Sequence, residues 1–142
     1  MKTSLSLLVC ILFSFIVQSQ TPVGKWKFFS YSIETWDGEK TDLLKSAAKK
    51  EPCITTIVIN FRADGKITTQ ADNCPAEMQQ PNPGKEWKMR DKNKIVLLSD
   101  DMTRNPVIFN LEIIGNKMRW TFTGPKKGIQ IVKELVAEFI RA

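Results

Sequence analysis

From Val107 to Thr123, apolar and polar residues alternate with one interruption. Val107, Phe109, Leu111 and Ile113 sit at alternate positions, Gly115-Asn116 follows, and Met118, Trp120 and Phe122 resume the alternation. Gly-Asn suits a two-residue hairpin turn. With that turn, Ile114 faces Lys117, Ile113 faces Met118, Leu111 faces Trp120 and Phe109 faces Phe122. Each apolar residue of one face then meets an apolar residue across the ladder. Asn110, Glu112, Arg119, Thr121 and Thr123 fall on the other face, with Ile108 and Ile114 as exceptions. A slip of one residue would turn every side chain to the wrong face, so the pattern specifies its own register.

Two more hairpins follow from the same argument. Ile57, Ile59 and Phe61 alternate before Asp64-Gly65. A three-residue loop, Ala63-Asp64-Gly65, pairs Phe61 with Ile67 and Ile57 with Ala71, whereas a two-residue loop would put Ile67 on the wrong face. Gly65 then takes the left-handed position of a type I turn followed by a bulge. This register also brings Cys53 and Cys74 together at the open end of the hairpin. Over residues 85–98, the loop Asp91-Lys92-Asn93 pairs Met89 with Ile95 and Trp87 with Leu97, and Asn93 tolerates a left-handed conformation.

A strand over residues 25–35, carrying Trp26, Phe28, Phe29, Tyr31 and Ile33, precedes these hairpins. Residues 128–139 follow them and fit two periods. Ile129, Ile131, Leu135 and Phe139 suit a strand; Ile129, Val132, Leu135, Val136, Phe139 and Ile140 suit a helix. A strand is favoured at the start, the segment past Lys133 staying open. Leu43, Leu44, Ala47 and Ala48 share one helical face, with Thr41 or Asp42 to cap it and Pro52 to stop it. A short helix is therefore expected between the first and second strands. The sum is an all-β domain of eight antiparallel strands, an up-and-down barrel being favoured over a two-sheet sandwich.

The beginning of the chain departs from this pattern. Lys2 precedes a nearly continuous apolar run over residues 5–17, and Gln18-Ser19-Gln20 turns polar. This is the layout of a secretory signal peptide, with cleavage expected after Ser19. The run is short of the ~20 residues that span a membrane, and Val9 before Cys10 is bulky for a lipidation site. The domain expectation is a signal peptide at 1–19 and one β-barrel domain at 20–142, secreted or periplasmic, with no membrane span in the mature chain. Of three cysteines, Cys10 leaves with the leader. Cys53 and Cys74 remain for an oxidising compartment, where a disulfide is the default.

Composition removes several function classes. The net charge of +6 is spread along the chain, its densest clusters being the pairs Lys49-Lys50 and Lys126-Lys127. Nucleic-acid binding would call for a basic stripe interleaved with aromatics, so no nucleic-acid partner is expected. The chain contains no histidine, which removes the usual base for a serine or cysteine nucleophile. It also lacks a Gly-x-Ser-x-Gly elbow and a Gly-rich phosphate loop. No catalytic residue, metal site or cofactor is expected, and the reading is that this is not an enzyme. Acids at Asp37 and Glu39, and at Asp100 and Asp101 with Asn105, read as solvated turns rather than calcium loops.

Gly24-Lys25-Trp26 resembles the Gly-x-Trp signature that opens the first strand of lipocalins. The rest is similar to short bacterial lipocalin-like domains. The matching features are Phe61-Arg62-Ala63-Asp64-Gly65 after a cysteine-headed strand, a second cysteine at Cys74, Glu86-Trp87 opening the next hairpin, and Met118-Arg119-Trp120 late in the chain. The Thr-Asp-Tyr signature of larger lipocalins is absent. No arginine stands clearly where the family packs one over the motif tryptophan, Arg141 lying far along the chain. The resemblance implies a small barrel for an apolar ligand, with Gly24 and Trp26 in a structural role at its floor.

On the registers above, Trp87, Met89, Leu111, Met118 and Trp120 point inward and are the candidate ligand-binding residues. An eight-strand barrel is just wide enough to be packed solid or to hold one small ligand. Two readings therefore stand: a binder of a small apolar molecule, with the helix as a lid or a plain end-cover, or a filled barrel acting as a protein-interaction or envelope-structural module through residues 76–84.

Overall fold

A computed structural model describes residues 21–75, 85–98, 106–124 and 132–142. The segment 1–19 read as a signal peptide, residues 76–84, the acids at 100 and 101 with Asn105, the lysine pair at 126–127 and the segment 128–131 lie outside the described residues.

Among the described residues the strands are β1 (Gly24–Thr35), β2 (Lys40–Asp42), β3 (Val58–Phe61), β4 (Ile67–Gln70), β5 (Glu86–Asp91), β6 (Lys94–Leu98), β7 (Val107–Ile114), β8 (Lys117–Thr123) and β9 (Val132–Arg141), with the helix α1 (Leu43–Ala48). They form one antiparallel sheet in the order β4-β3-β1-β9-β8-β7-β6-β5, with the short β2 attached to β1. The two outer strands meet. Lys66 bridges Glu86, the Ile67 N–H donates to Lys85 O at 2.8 Å, and the Trp87 N–H donates to Gly65 O at 2.7 Å. The result is a nearly closed eight-strand barrel, which leaves little free edge.

All three hairpin registers appear in the ladder. Ile113 pairs with Met118 and Leu111 with Trp120; Phe61 pairs with Ile67; Met89 pairs with Ile95 and Trp87 with Leu97. Gly65 is left-handed at φ +82. One detail is corrected: Asn93 is not left-handed. Asp91 pairs directly with Lys94, and the extra residue is a bulge between Met89 and Asp91. Moving it into the strand keeps the apolar pairs facing and needs no strained turn residue.

Cys53 lies in a 3-10 turn over Pro52–Thr56, just ahead of β3, rather than heading the strand itself. Pro52 starts that turn, since its fixed φ and missing N–H suit a first helical position. Cys53 and Cys74 are bonded, with their Cα atoms 5.4 Å apart. Asp42 caps α1, its carboxylate accepting from the Lys45 N–H at 2.8 Å.

The ambiguous C-terminal segment is a strand as far as Arg141. It is paired on both sides, to β1 and to β8. Two ladders satisfy its backbone while Ala137 and Phe139 are buried in the interior. A helix would have had to bury Val136 and Ile140 on the same face; here both are half-buried.

Strand β1 contains a second bulge. Phe28 pairs with Phe139 but Ser30 pairs with Glu138, so Phe29 is the extra residue, and it is 61% exposed. The bulge shifts the alternation by one position. Trp26 and Phe28 face inward before it, and Tyr31 faces inward after it.

Candidate ligand cavity

The interior has two unlike halves. One end is sealed around Trp26, which is completely buried and donates from Nε1 to Pro22 O at 2.6 Å. The Arg141 guanidinium lies 4.2 Å from the centre of the Trp26 ring and donates to Val23 O at 2.9 Å. Backbone bonds hold Arg141 there, from its N–H to Asn116 O and from the Ala142 N–H to Lys25 O. Distance along the chain had argued against Arg141 as the residue over the motif tryptophan. The strand pairing of Trp26 with Arg141 overrides that argument.

Gly24 is needed at this end. Its φ is +126, and an added Cβ would press into Arg141 Nη1. Gly24→Ala is expected to strain the backbone and push Arg141 off the ring, costing about 1–3 kcal/mol. Thermal melts would check this against Arg141→Ala, which loses the cation–π contact without the strain; equal melts would refute the role given to Gly24.

The other half holds an apolar cavity of about 470 Å³, within the usual range for small-molecule sites. Phe28 and Tyr31 of β1, Leu97 of β6, Val107 and Phe109 of β7, Trp120 and Phe122 of β8, and Leu135, Ala137 and Phe139 of β9 form its wall. Buried Trp120 and Phe139 make the base, their rings 4.7 Å apart. Phe28 packs on Phe139 at 4.6 Å and Phe109 on Trp120 at 5.5 Å. Tyr31, Val107, Phe122 and Leu135 are half-buried, and Val107 and Phe122 stand near the ends of β7 and β8.

Of the five candidates from sequence, Trp120 lines this cavity. Leu111 and Met118 are buried in the packed core, at 3% and 1% exposure. Met89 is half-buried and packs against that core. Trp87 sits at the seam where the barrel closes. Its Nε1 donates to Arg62 O at 3.0 Å and its ring meets Phe61 edge-on at 6.1 Å. Its position gives it the role of a clasp between β5 and the β3–β4 turn.

Phe28, Tyr31, Leu135 and Phe139 were legible as strand residues but not as cavity residues. The available signal was the phase change in Trp26-Lys27-Phe28-Phe29-Ser30-Tyr31, which a bulge explains. Helix α1 packs beside β1 and the 3-10 turn, and none of its residues lines the cavity.

The wall bears no charged group, and no polar or charged residue is buried among the described residues. Burial raises the Tyr31 phenol above its ordinary pKa, so it remains an O–H donor at neutral pH. The Trp120 indole N–H and the Thr69 hydroxyl are buried without a hydrogen-bond partner.

Among the described residues no charged side chain is buried in the barrel. Glu34 contacts Lys133 at 2.6 Å and Lys40 at 3.3 Å, and their hydrogen bonds, Lys133 first, hold its carboxyl below the usual range. The Thr35 hydroxyl, and then the Glu39 N–H, do the same for Asp37 in the β1–β2 turn. For Asp64 the Lys66 N–H dominates, with Arg62 adding to it. Among the described residues no cluster of acids, cysteines or histidines is arranged to hold a metal.

These three carboxyls titrate lower in the folded chain than in the unfolded one. Their stabilising contribution is present above the unfolded pKa and lost as pH falls through the folded pKa. The urea midpoint should therefore decline below about pH 4, and Glu34→Gln should remove part of that slope. An unchanged slope in the variant would show that the Glu34 pairs contribute nothing. Lys133 is shifted the other way by the same bond, so its contribution disappears only above about pH 10.

Fold and cavity together define a class: a small antiparallel barrel, sealed at one end and hollow at the other, compatible with a lipocalin-like ligand-binding module. The chain matches no known family, curated protein or solved structure. Among the described residues no helix is long and apolar enough to cross a membrane.

Proposed function

We propose that this protein is an exported, non-catalytic, lipocalin-like binder of a small apolar molecule, held between β1 and β6–β9. The carrying observation is the 470 Å³ cavity walled by aromatic and aliphatic side chains. A cavity of that kind gains affinity by removing apolar ligand surface from water, at about 25 cal/mol per Å² before the costs of association. The Cys53–Cys74 bond and the leader pattern at residues 1–19 support export. The complete lack of histidine supports a role without acid–base or nucleophilic chemistry.

Trp120 at the base of the cavity makes binding visible. Titrating the mature chain with fatty acids, retinoids and haem is expected to give saturable quenching of tryptophan emission with at least one class. Ala137→Leu adds bulk inside the cavity and should weaken that ligand at least about tenfold, since the larger side chain takes space the ligand would fill. Quenching that survives this substitution unchanged would place the ligand elsewhere. No response from any class would favour a module that acts through its outer surface.

A further inference from the structure

The lining of the cavity narrows the chemistry of what it holds. Of the ten described residues in the wall, six, Phe28, Tyr31, Phe109, Trp120, Phe122 and Phe139, are aromatic. Among the described residues no cation or carboxylate reaches it. Against these residues a ligand carboxylate or ammonium meets no counter-charge, and an unpaired ion in such surroundings costs several kcal/mol or more. The wall therefore discriminates against charge.

It does not discriminate against one neutral polar group. The Tyr31 hydroxyl makes no hydrogen bond to another described residue. Tyr31 lies in the half of β1 beyond the Phe29 bulge and is itself half-buried. Its ring is held edge-on to Phe28, with centroids 6.3 Å apart. A phenol can donate one hydrogen bond and also accept, so a ketone, ester, amide or alcohol on the ligand can be satisfied there. Ring faces and edges on several sides favour a flat conjugated skeleton, because offset and edge-to-face ring contacts add to the gain from burial.

We propose that the cavity selects flat, uncharged conjugated molecules carrying one neutral hydrogen-bonding group, which pairs with the Tyr31 hydroxyl. The proposal rests on the ligand-binding reading above and adds the ligand's charge state and its polar contact.

Three probes of one skeleton test it: anthracene, 2-acetylanthracene and anthracene-2-carboxylate, titrated into the mature disulfide-bonded chain near neutral pH. The ketone is expected to bind at least about tenfold tighter than the carboxylate, the direction the uncompensated charge dictates. Tyr31→Phe is expected to weaken the ketone about three- to tenfold, the range for one neutral hydrogen bond, and to leave anthracene unchanged. The ketone-to-carboxylate ratio is read on the unmodified chain and needs no variant to fold.

A carboxylate that binds as tightly as the ketone overturns the selection for neutral ligands while leaving the cavity reading intact. Equal weakening of ketone and anthracene by Tyr31→Phe overturns the hydrogen bond, because the hydroxyl would then matter only through packing. Failure of all three probes to bind overturns the proposal, and a ligand from the earlier panel that still quenches would show that the cavity reading survives it.

Discussion

Replacing Trp26 with alanine is expected to destabilise the protein by about 4–5 kcal/mol, the upper part of the range for deleting a buried aromatic ring. Three losses combine. The side chain is wholly buried among core residues that include Ile59, Phe61, Met118 and Phe139. Its Nε1 bond to Pro22 O ties the segment before β1 to the barrel end. Its ring also carries the Arg141 guanidinium, a contact worth about 0.5–1 kcal/mol where it is solvent-exposed. For a domain of this size the melting temperature should fall by about 15 °C or more. Trp26→Phe should recover most of the packing but not the Pro22 bond, and should fall between the two. A Trp26→Ala protein melting within a few degrees of the parent would mean that this end is not the seal described here.

The second large effect concerns the disulfide. Reduction, or the double replacement Cys53→Ala with Cys74→Ala, is expected to cost about 3 kcal/mol on the chain-entropy account, for a sequence separation of 21. The bond ties the 3-10 turn ahead of β3 to the segment that follows β4. Strand β4 is an outer strand of the sheet, joined to β5 around Lys66 and Glu86. Loss of the crosslink should therefore show first as faster amide exchange in β4 and at the seam, before the rest of the barrel. Melts with and without reductant measure the global effect, and thiol titration of the unfolded oxidised domain over residues 20–142 should find no free thiol. An unchanged melting temperature after confirmed reduction would refute the stabilising role.

The hairpins show how far local pattern reaches. Phe61 against Ile67, Met89 against Ile95 and Leu111 against Trp120 were all legible, because each strand has one apolar face and a register slip would bury its polar set. The same logic brought Cys53 and Cys74 together. It failed where an inserted residue changes the phase. At Arg90 the bulge replaced the expected left-handed Asn93, and at Phe29 the bulge turned Tyr31 inward. Bulges leave little trace in alternation until the partner strand is known, and the partner of β1 here is β9, at the other end of the chain.

Sequence by itself determined the class of this protein: an all-β chain of turn-linked strands, two cysteines set to pair and no histidine for catalysis. These follow from nearest-neighbour chemistry, in which period-two burial, turn residues and composition act over a few positions. Tertiary structure alone decided which inward residues are filling and which are wall. Leu111, Met118 and Trp120 read alike in sequence, yet two are packed in the core and one faces a cavity. Tyr31, Leu135 and Arg141 acquired their places only when β9 closed against β1. Interior space belongs to the whole ring of strands, set by their stagger and by which side chains meet across it, and no single strand's pattern contains it.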